Sequence, residues 1–107
     1  MANLTTPEPG ILALDGEIDL NERPQVQERL WPLLNTKMPK VLVDLSGVSY
    51  IDSSGLALFI EAMQKVQSYG GSFALFGLRP SVRNIFELAR LDQVFRIFPD
   101  RAAAQAA

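Results

Sequence analysis

The residues whose chemistry stands out in this chain are the consecutive Asp-Ser-Ser-Gly at positions 52–55. They lie between an apolar run at 41–45, which predicts a buried strand, and an apolar stripe of helical spacing at 56–63. A serine at a helix start lies beside free backbone N–H groups and the positive end of the helix dipole. A phosphoryl group on Ser53 would add a charge of about −1.5 to −2 that this position can tolerate.

The neighbours of Ser53 suggest how such a charge would act. Asp52 would repel a phosphate on Ser53, so modification would change the electrostatics of this surface without unfolding the helix. Gly55 has no side chain, and we expect it to leave room for the approach of another protein. The competing structural interpretation is that a serine here is an N-cap, contributing about 1 kcal/mol, and that the glycine belongs to a turn.

The composition excludes several classes of function. With no histidine or cysteine, the chain has no catalytic triad and no ordinary zinc site. It contains neither GxxxxGK[ST] nor GxGxxG, so an enzyme, a cofactor and a metal are not expected. Nucleic acid is a disfavoured partner because no basic run with interleaved aromatic residues exists. A chain with no cysteine, signal peptide or membrane span is expected in the cytoplasm.

The charge of the chain is small but unevenly distributed. The net charge is −2, and residues 1–61 contain nine acidic and four basic residues. Residues 62–107 contain three acidic and six basic residues. A solvated surface is sufficient to explain this asymmetry.

The elements around the candidate segment alternate between strands and helices. Strands are predicted at 10–18, 72–78 and 94–98, and helices after Asn21, from Pro80, and as a short terminal helix at 100–107 capped by Asp100. Pro32 is expected to kink or end the first helix, because it removes a backbone hydrogen bond. Residues 1–9 are expected to form a short edge strand or to be disordered. The order predicts one α/β domain over 1–107, with a mixed, mostly parallel sheet of four to five strands and about four helices.

The central helix is more apolar than one buried face requires. Residues 56–60 are apolar around one and a half turns. We expect Phe59 and Met63 to pack on the sheet, with Leu58 and Ala62 facing outward. Either another helix covers that outward face, or it is an apolar docking patch beside Ser53, and the sequence leaves both open.

Several motifs together resemble a known family. The run VDLSGVSYIDSSGL at 43–56 closely resembles the signature of STAS domains, the fold shared by sulphate transporter tails and bacterial anti-sigma factor antagonists. The sequence GEID at 16–19 resembles the family's second marker, and RPSVR at 79–83 lies where the family has its third helix. The resemblance extends from Gly10 to Phe98.

The resemblance implies a function as a substrate and switch. In similar anti-sigma factor antagonists the serine directly after the aspartate, here Ser53, accepts a phosphate. The donor is ATP with magnesium, the kinase is the anti-sigma factor itself, and a PP2C-type phosphatase reverses the reaction. The unphosphorylated antagonist binds the kinase and frees the sigma factor, and the phosphorylated form is released. The docking residues implied, with Leu58 added from the apolar helix, are Asp19, Asp52, Ser54, Gly55, Leu56 and Leu58.

Other functions remain open at this stage. A STAS accessory subunit could dock on an ABC-type transporter ATPase without being phosphorylated. A stressosome-like scaffold component would form a large assembly, whereas the antagonist is expected to be a monomer or weak dimer. A nucleotide-binding or hydrolytic enzyme would have to work without the usual motifs.

Overall fold

The computed structural model describes residues 10–107, so the predicted alternatives for residues 1–9 lie outside it. Strands and helices alternate along the described chain, as predicted. The elements are β1 (Ile11–Ile18), α1 (Arg23–Asn35), β2 (Lys40–Ile51), α2 (Ser53–Ser68), β3 (Ser72–Phe76), α3 (Pro80–Leu88), a one-turn 3-10 helix (Leu91–Gln93), β4 (Arg96–Phe98) and α4 (Arg101–Ala106).

The four described strands form one parallel sheet in the order β1-β2-β3-β4. Val41 and Val43 of β2 belong to the main core with the buried residues of α1, α2 and α3, whereas Leu42 packs with Ala104 of α4. Because successive strand residues point to opposite faces, three helices lie on one face and α4 lies on the other. The predicted α/β class with a mostly parallel sheet is confirmed. Within residues 10–107, no helix has the length and apolar character needed to cross a bilayer.

Two bulges in β2 decide which of its residues reach the core. The register with β1 shifts at residues 13–15 and again at 16–17, and each shift places one extra residue in β2. The buried residues Leu45, Val48 and Ile51 are therefore three positions apart, where a regular strand would place them two apart. Strand β2 thus keeps apolar side chains in the core up to its last residue, directly before the candidate segment.

Helix α1 begins one residue later than predicted and continues past its proline. Its N-cap is Glu22, one residue after the predicted Asn21. Pro32 does not end the helix, which continues to Asn35. Both Pro32 and Glu28, whose carbonyl loses its helical partner, are exposed, so water can hydrogen-bond the free carbonyl.

The C-terminal elements follow the prediction with one shift. Asp100 caps α4 as expected, because its carboxylate accepts a backbone N–H of the first turn at 2.9 Å. Strand β4 begins at Arg96, two residues later than predicted. The reason is local, since the N–H groups of Val94 and Phe95 both donate to the carbonyl of Leu91 and prolong the preceding turn.

Candidate functional site

The carboxyl ends of β1 and β2 bring two segments that are distant in sequence into contact. The N–H of Asp52 donates to the carbonyl of Ile18 at 3.1 Å. The N–H of Leu20 donates to Asp52 Oδ2 at 3.2 Å. The motifs GEID and DSSG therefore lie side by side, with the Asp19 turn next to the start of α2.

Asp52, and neither serine, is the N-cap of α2. Its Oδ1 accepts hydrogen bonds from the Ser54 N–H at 2.9 Å, the Gly55 N–H at 3.1 Å and the Ser54 hydroxyl at 2.6 Å. The hydroxyl bond is the largest cause that lowers the pKa of Asp52 from its ordinary value, burial opposes it, and the backbone N–H groups reinforce it. The interpretation of a serine as the cap is thus wrong, and Asp52 is held as a carboxylate.

The two adjacent serines lie in different environments. Ser54 is half-buried, and its hydroxyl is committed to Asp52. Ser53 is exposed as the first residue of α2, and its hydroxyl has no hydrogen-bond partner within residues 10–107. A second protein could therefore reach the Ser53 hydroxyl without breaking an internal hydrogen bond.

The start of α2 offers a phosphate fewer donors than the sequence suggests. A helix start leaves four backbone N–H groups without helical partners. Here the Asp52 N–H donates to Ile18, and the Ser54 and Gly55 N–H groups donate to the Asp52 carboxylate. Of these four groups, only the N–H of Ser53 is without a partner within residues 10–107. A phosphate on Ser53 would find an ionised carboxylate beside it and few free donors.

Gly55 is needed for packing inside the domain. It is buried, and a Cβ built at this position would lie 2.9 Å from the carbonyl oxygen of Ile18 and 2.9 Å from the Cγ2 atoms of Ile18 and Ile51. Real Cβ atoms do not approach backbone oxygen so closely. The expectation that Gly55 leaves room for a partner is therefore wrong, because β1 and β2 occupy that space.

The expectation that Leu58 and Ala62 face outward is also wrong. Both are fully buried, with 0% of their surface exposed. Helix α1 packs against α2 and covers this face, which was the alternative the sequence left open. Leu56 and Ile60 are half-buried, so of the predicted docking leucines only Leu56 retains accessible surface.

Two residues beside Ser53 were not predicted from the sequence. Leu20 is 69% exposed, and its backbone is tied to Asp52. Arg23 donates from Nη1 to the Ser54 carbonyl at 3.1 Å and from Nη2 to Glu61 at 2.7 Å, joining the start of α1 to α2. The only sequence signal for Leu20 is an apolar residue between a strand end and a helix cap, outside both periodic stripes.

Comparison with known proteins gives consistent matches. The family model for the STAS domain matches residues 2–104. An anti-sigma-B factor antagonist of Listeria monocytogenes is 36% identical over 83 residues, covering 77% of this chain and 72% of the relative.

Solved structures share the fold. A crystal structure described as an anti-sigma factor antagonist from Thermotoga maritima has a TM-score of 0.84 at 23% identity, covering 94% of this chain and 89% of that one. The anti-sigma factor antagonist SpoIIAA in its unphosphorylated form has a TM-score of 0.74 at 21% identity, covering 90% and 84%. The phosphorylated form of SpoIIAA, described as a Bacillus cell fate determinant, has a TM-score of 0.66 at 20% identity, covering 90% and 87%.

Proposed function

Because the chain belongs to the STAS domain family, we propose that it is an anti-sigma factor antagonist whose partner is switched by phosphorylation of Ser53. In the unphosphorylated state it binds an anti-sigma factor that is also a serine kinase, and the sigma factor is freed. Phosphorylation of Ser53 ends that binding, and a PP2C-type phosphatase restores it. The chain would act in the cytoplasm as a monomer or weak dimer.

The observation that supports this proposal best is the contrast between the two serines. The Ser53 hydroxyl is exposed and unbonded within the described residues, whereas the Ser54 hydroxyl donates to Asp52 at 2.6 Å. In the transfer, Ser53 Oγ forms a bond to the γ-phosphorus of ATP, the bond to the β-phosphate oxygen breaks, and ADP leaves. The hydroxyl proton passes to a base of the kinase. This chain supplies the acceptor, and the kinase supplies magnesium binding and catalysis.

The charge around Ser53 supports release after phosphorylation. The phosphate adds about −1.5 to −2 charge next to the Asp52 carboxylate. With three donors already bound to Asp52 Oδ1, the helix start has little left to neutralise the phosphate. Covering this anionic pair with a partner would remove it from water, and charges buried without compensation oppose association. The phosphate would therefore weaken binding without refolding the domain.

The test is phosphorylation by the anti-sigma factor kinases of the same organism, each purified and supplied with ATP and magnesium. Intact-protein mass spectrometry should show one phosphoryl group on the wild type. Ser53→Ala should remove it, and the matched variant Ser54→Ala should keep it. Phosphorylation that survives in Ser53→Ala and disappears in Ser54→Ala would show that Ser54 is the acceptor and would contradict the proposal.

The rival functions appear as distinct outcomes of a binding assay. Binding to an ABC-type transporter ATPase, with no phosphorylation by any kinase tested, would indicate a transporter accessory subunit. A large particle in size-exclusion chromatography would indicate a stressosome-like scaffold. Heat on titration with ATP or GTP alone would indicate a nucleotide-binding protein.

A further inference from the structure

Leu20 is an exposed apolar side chain on a firmly held turn. It is 69% exposed, yet its N–H donates to Asp52 Oδ2 at 3.2 Å. Leu20 lies within a turn that two hydrogen bonds to Asp19 hold together. Asp19 Oδ1 accepts the Glu22 N–H at 3.0 Å, and the Asp19 carbonyl accepts the Arg23 N–H at 2.9 Å. A side chain on such a turn loses little backbone freedom when a partner covers it.

The surroundings of Leu20 are acidic. Within residues 17–22 there are three carboxylates, those of Glu17, Asp19 and Glu22, and no cation. The nearest cation along the chain, Arg23, is bound to the Ser54 carbonyl and to Glu61. A partner that covers Leu20 must therefore meet one apolar side chain on a segment that carries three carboxylates and no cation.

We infer that Leu20 is an anchor that enters an apolar socket, lined at its rim by lysine or arginine, on the kinase that phosphorylates Ser53. Protein interfaces usually have an apolar core surrounded by a polar rim, and Leu20 with its neighbouring carboxylates offers both parts. The bond from the Leu20 N–H to Asp52 holds this turn against the residue that precedes Ser53, so one partner surface can reach both. This inference rests on the proposed function, because it names a contact of the same kinase.

The test compares two leucines of similar exposure in a binding assay. The probe is the purified kinase that phosphorylates the wild-type chain, held with ADP and magnesium. Leu20→Ala should weaken binding about tenfold, equivalent to about 1.4 kcal/mol. Leu88→Ala is the matched control, because Leu88 is 78% exposed but lies on α3, and it should bind like the wild type. In phosphorylation kinetics, Leu20→Ala should raise KM and leave kcat unchanged.

The charged rim is tested through the association rate. Added salt should slow association of the wild type, and Glu22→Lys should slow it further, because attraction between opposite charges mainly affects that rate. An unchanged KM and affinity for Leu20→Ala, or an equal loss in Leu88→Ala, would overturn the inference and leave the proposed function standing. If no anti-sigma factor kinase binds or phosphorylates the wild type, the proposed function fails, and the inference fails with it.

Discussion

The packing around Gly55 predicts what happens when one methyl group is added there. In Gly55→Ala the new Cβ would lie 2.9 Å from the carbonyl oxygen of Ile18 and from the Cγ2 atoms of Ile18 and Ile51. The isoleucine side chains can give way slightly. The carbonyl cannot do so freely, because it accepts the Asp52 N–H at 3.1 Å and joins β1 to the helix start.

The expected cost follows from two opposing effects. Overpacking of a buried site costs about 1–3 kcal/mol. Alanine in a helix gains up to about 1 kcal/mol over glycine. Because the Ile18 carbonyl cannot move freely, the overpacking cost should fall in the upper part of that range, about 2–3 kcal/mol. After subtraction of about 1 kcal/mol for the helix gain, Gly55→Ala should lower the free energy of unfolding by about 1–2 kcal/mol, which is about 4–9 °C in Tm for a domain of this size.

Urea denaturation followed by circular dichroism measures this change. Ser53→Ala is the control two residues away, and its exposed side chain should change the free energy of unfolding by less than about 0.5 kcal/mol. A Gly55→Ala variant as stable as the wild type, or more stable, would refute the packing argument. That result would return Gly55 to the role of leaving space for a partner.

Three further predictions concern the carboxylate, the core and the helix clamp. The folded pKa of Asp52 lies below its ordinary value of 3.8, so the stability that the ionised carboxylate contributes is complete above that value and is lost as the pH falls through the lower folded pKa. In Asp52→Asn the free energy of unfolding should therefore fall less steeply as the pH is lowered. Equal slopes for the variant and the wild type would contradict this. Phe86 is fully buried, and its ring lies edge-on to Phe95 with the centroids 5.7 Å apart. Phe86→Ala should therefore lower the free energy of unfolding, measured by urea denaturation, by about 3–5 kcal/mol. Arg23→Gln should leave thermal stability within a few degrees but speed hydrogen exchange at the start of α2, because Arg23 binds the Ser54 carbonyl.

Most of the fold could be predicted because its signals are local. The apolar runs of the buried strands, the helical stripes and the cap at Asp100 are all contained in short segments. The bulges of β2 could not be predicted, because they arise from its pairing with β1. The sequence predicted a kink or an end at Pro32, and it could not exclude the end, because the tolerance of a proline inside a helix depends on which side of the helix faces water.

In the candidate site, too, the features set by local sequence could be predicted and those set by distant contacts could not. The resemblance to the STAS family is confirmed, and the strand-to-helix position of residues 52–55 follows from the sequence. What the sequence could not predict depends on contacts with distant segments: Ile18 fills the space beside Gly55, and α1 covers Leu58. The physical argument for proposing Ser53 rather than Ser54 also depends on the structure, because the Ser54 hydroxyl donates to Asp52 whereas Ser53 is exposed.

The central claim is that a phosphate on Ser53 switches off binding to the anti-sigma factor kinase. The most direct measurement is the Kd of the purified kinase, with ADP and magnesium, for the unphosphorylated chain and for the same chain phosphorylated stoichiometrically on Ser53. The proposal predicts that phosphorylation weakens binding at least about tenfold, a loss of about 1.4 kcal/mol. Equal affinities for the two forms would contradict it.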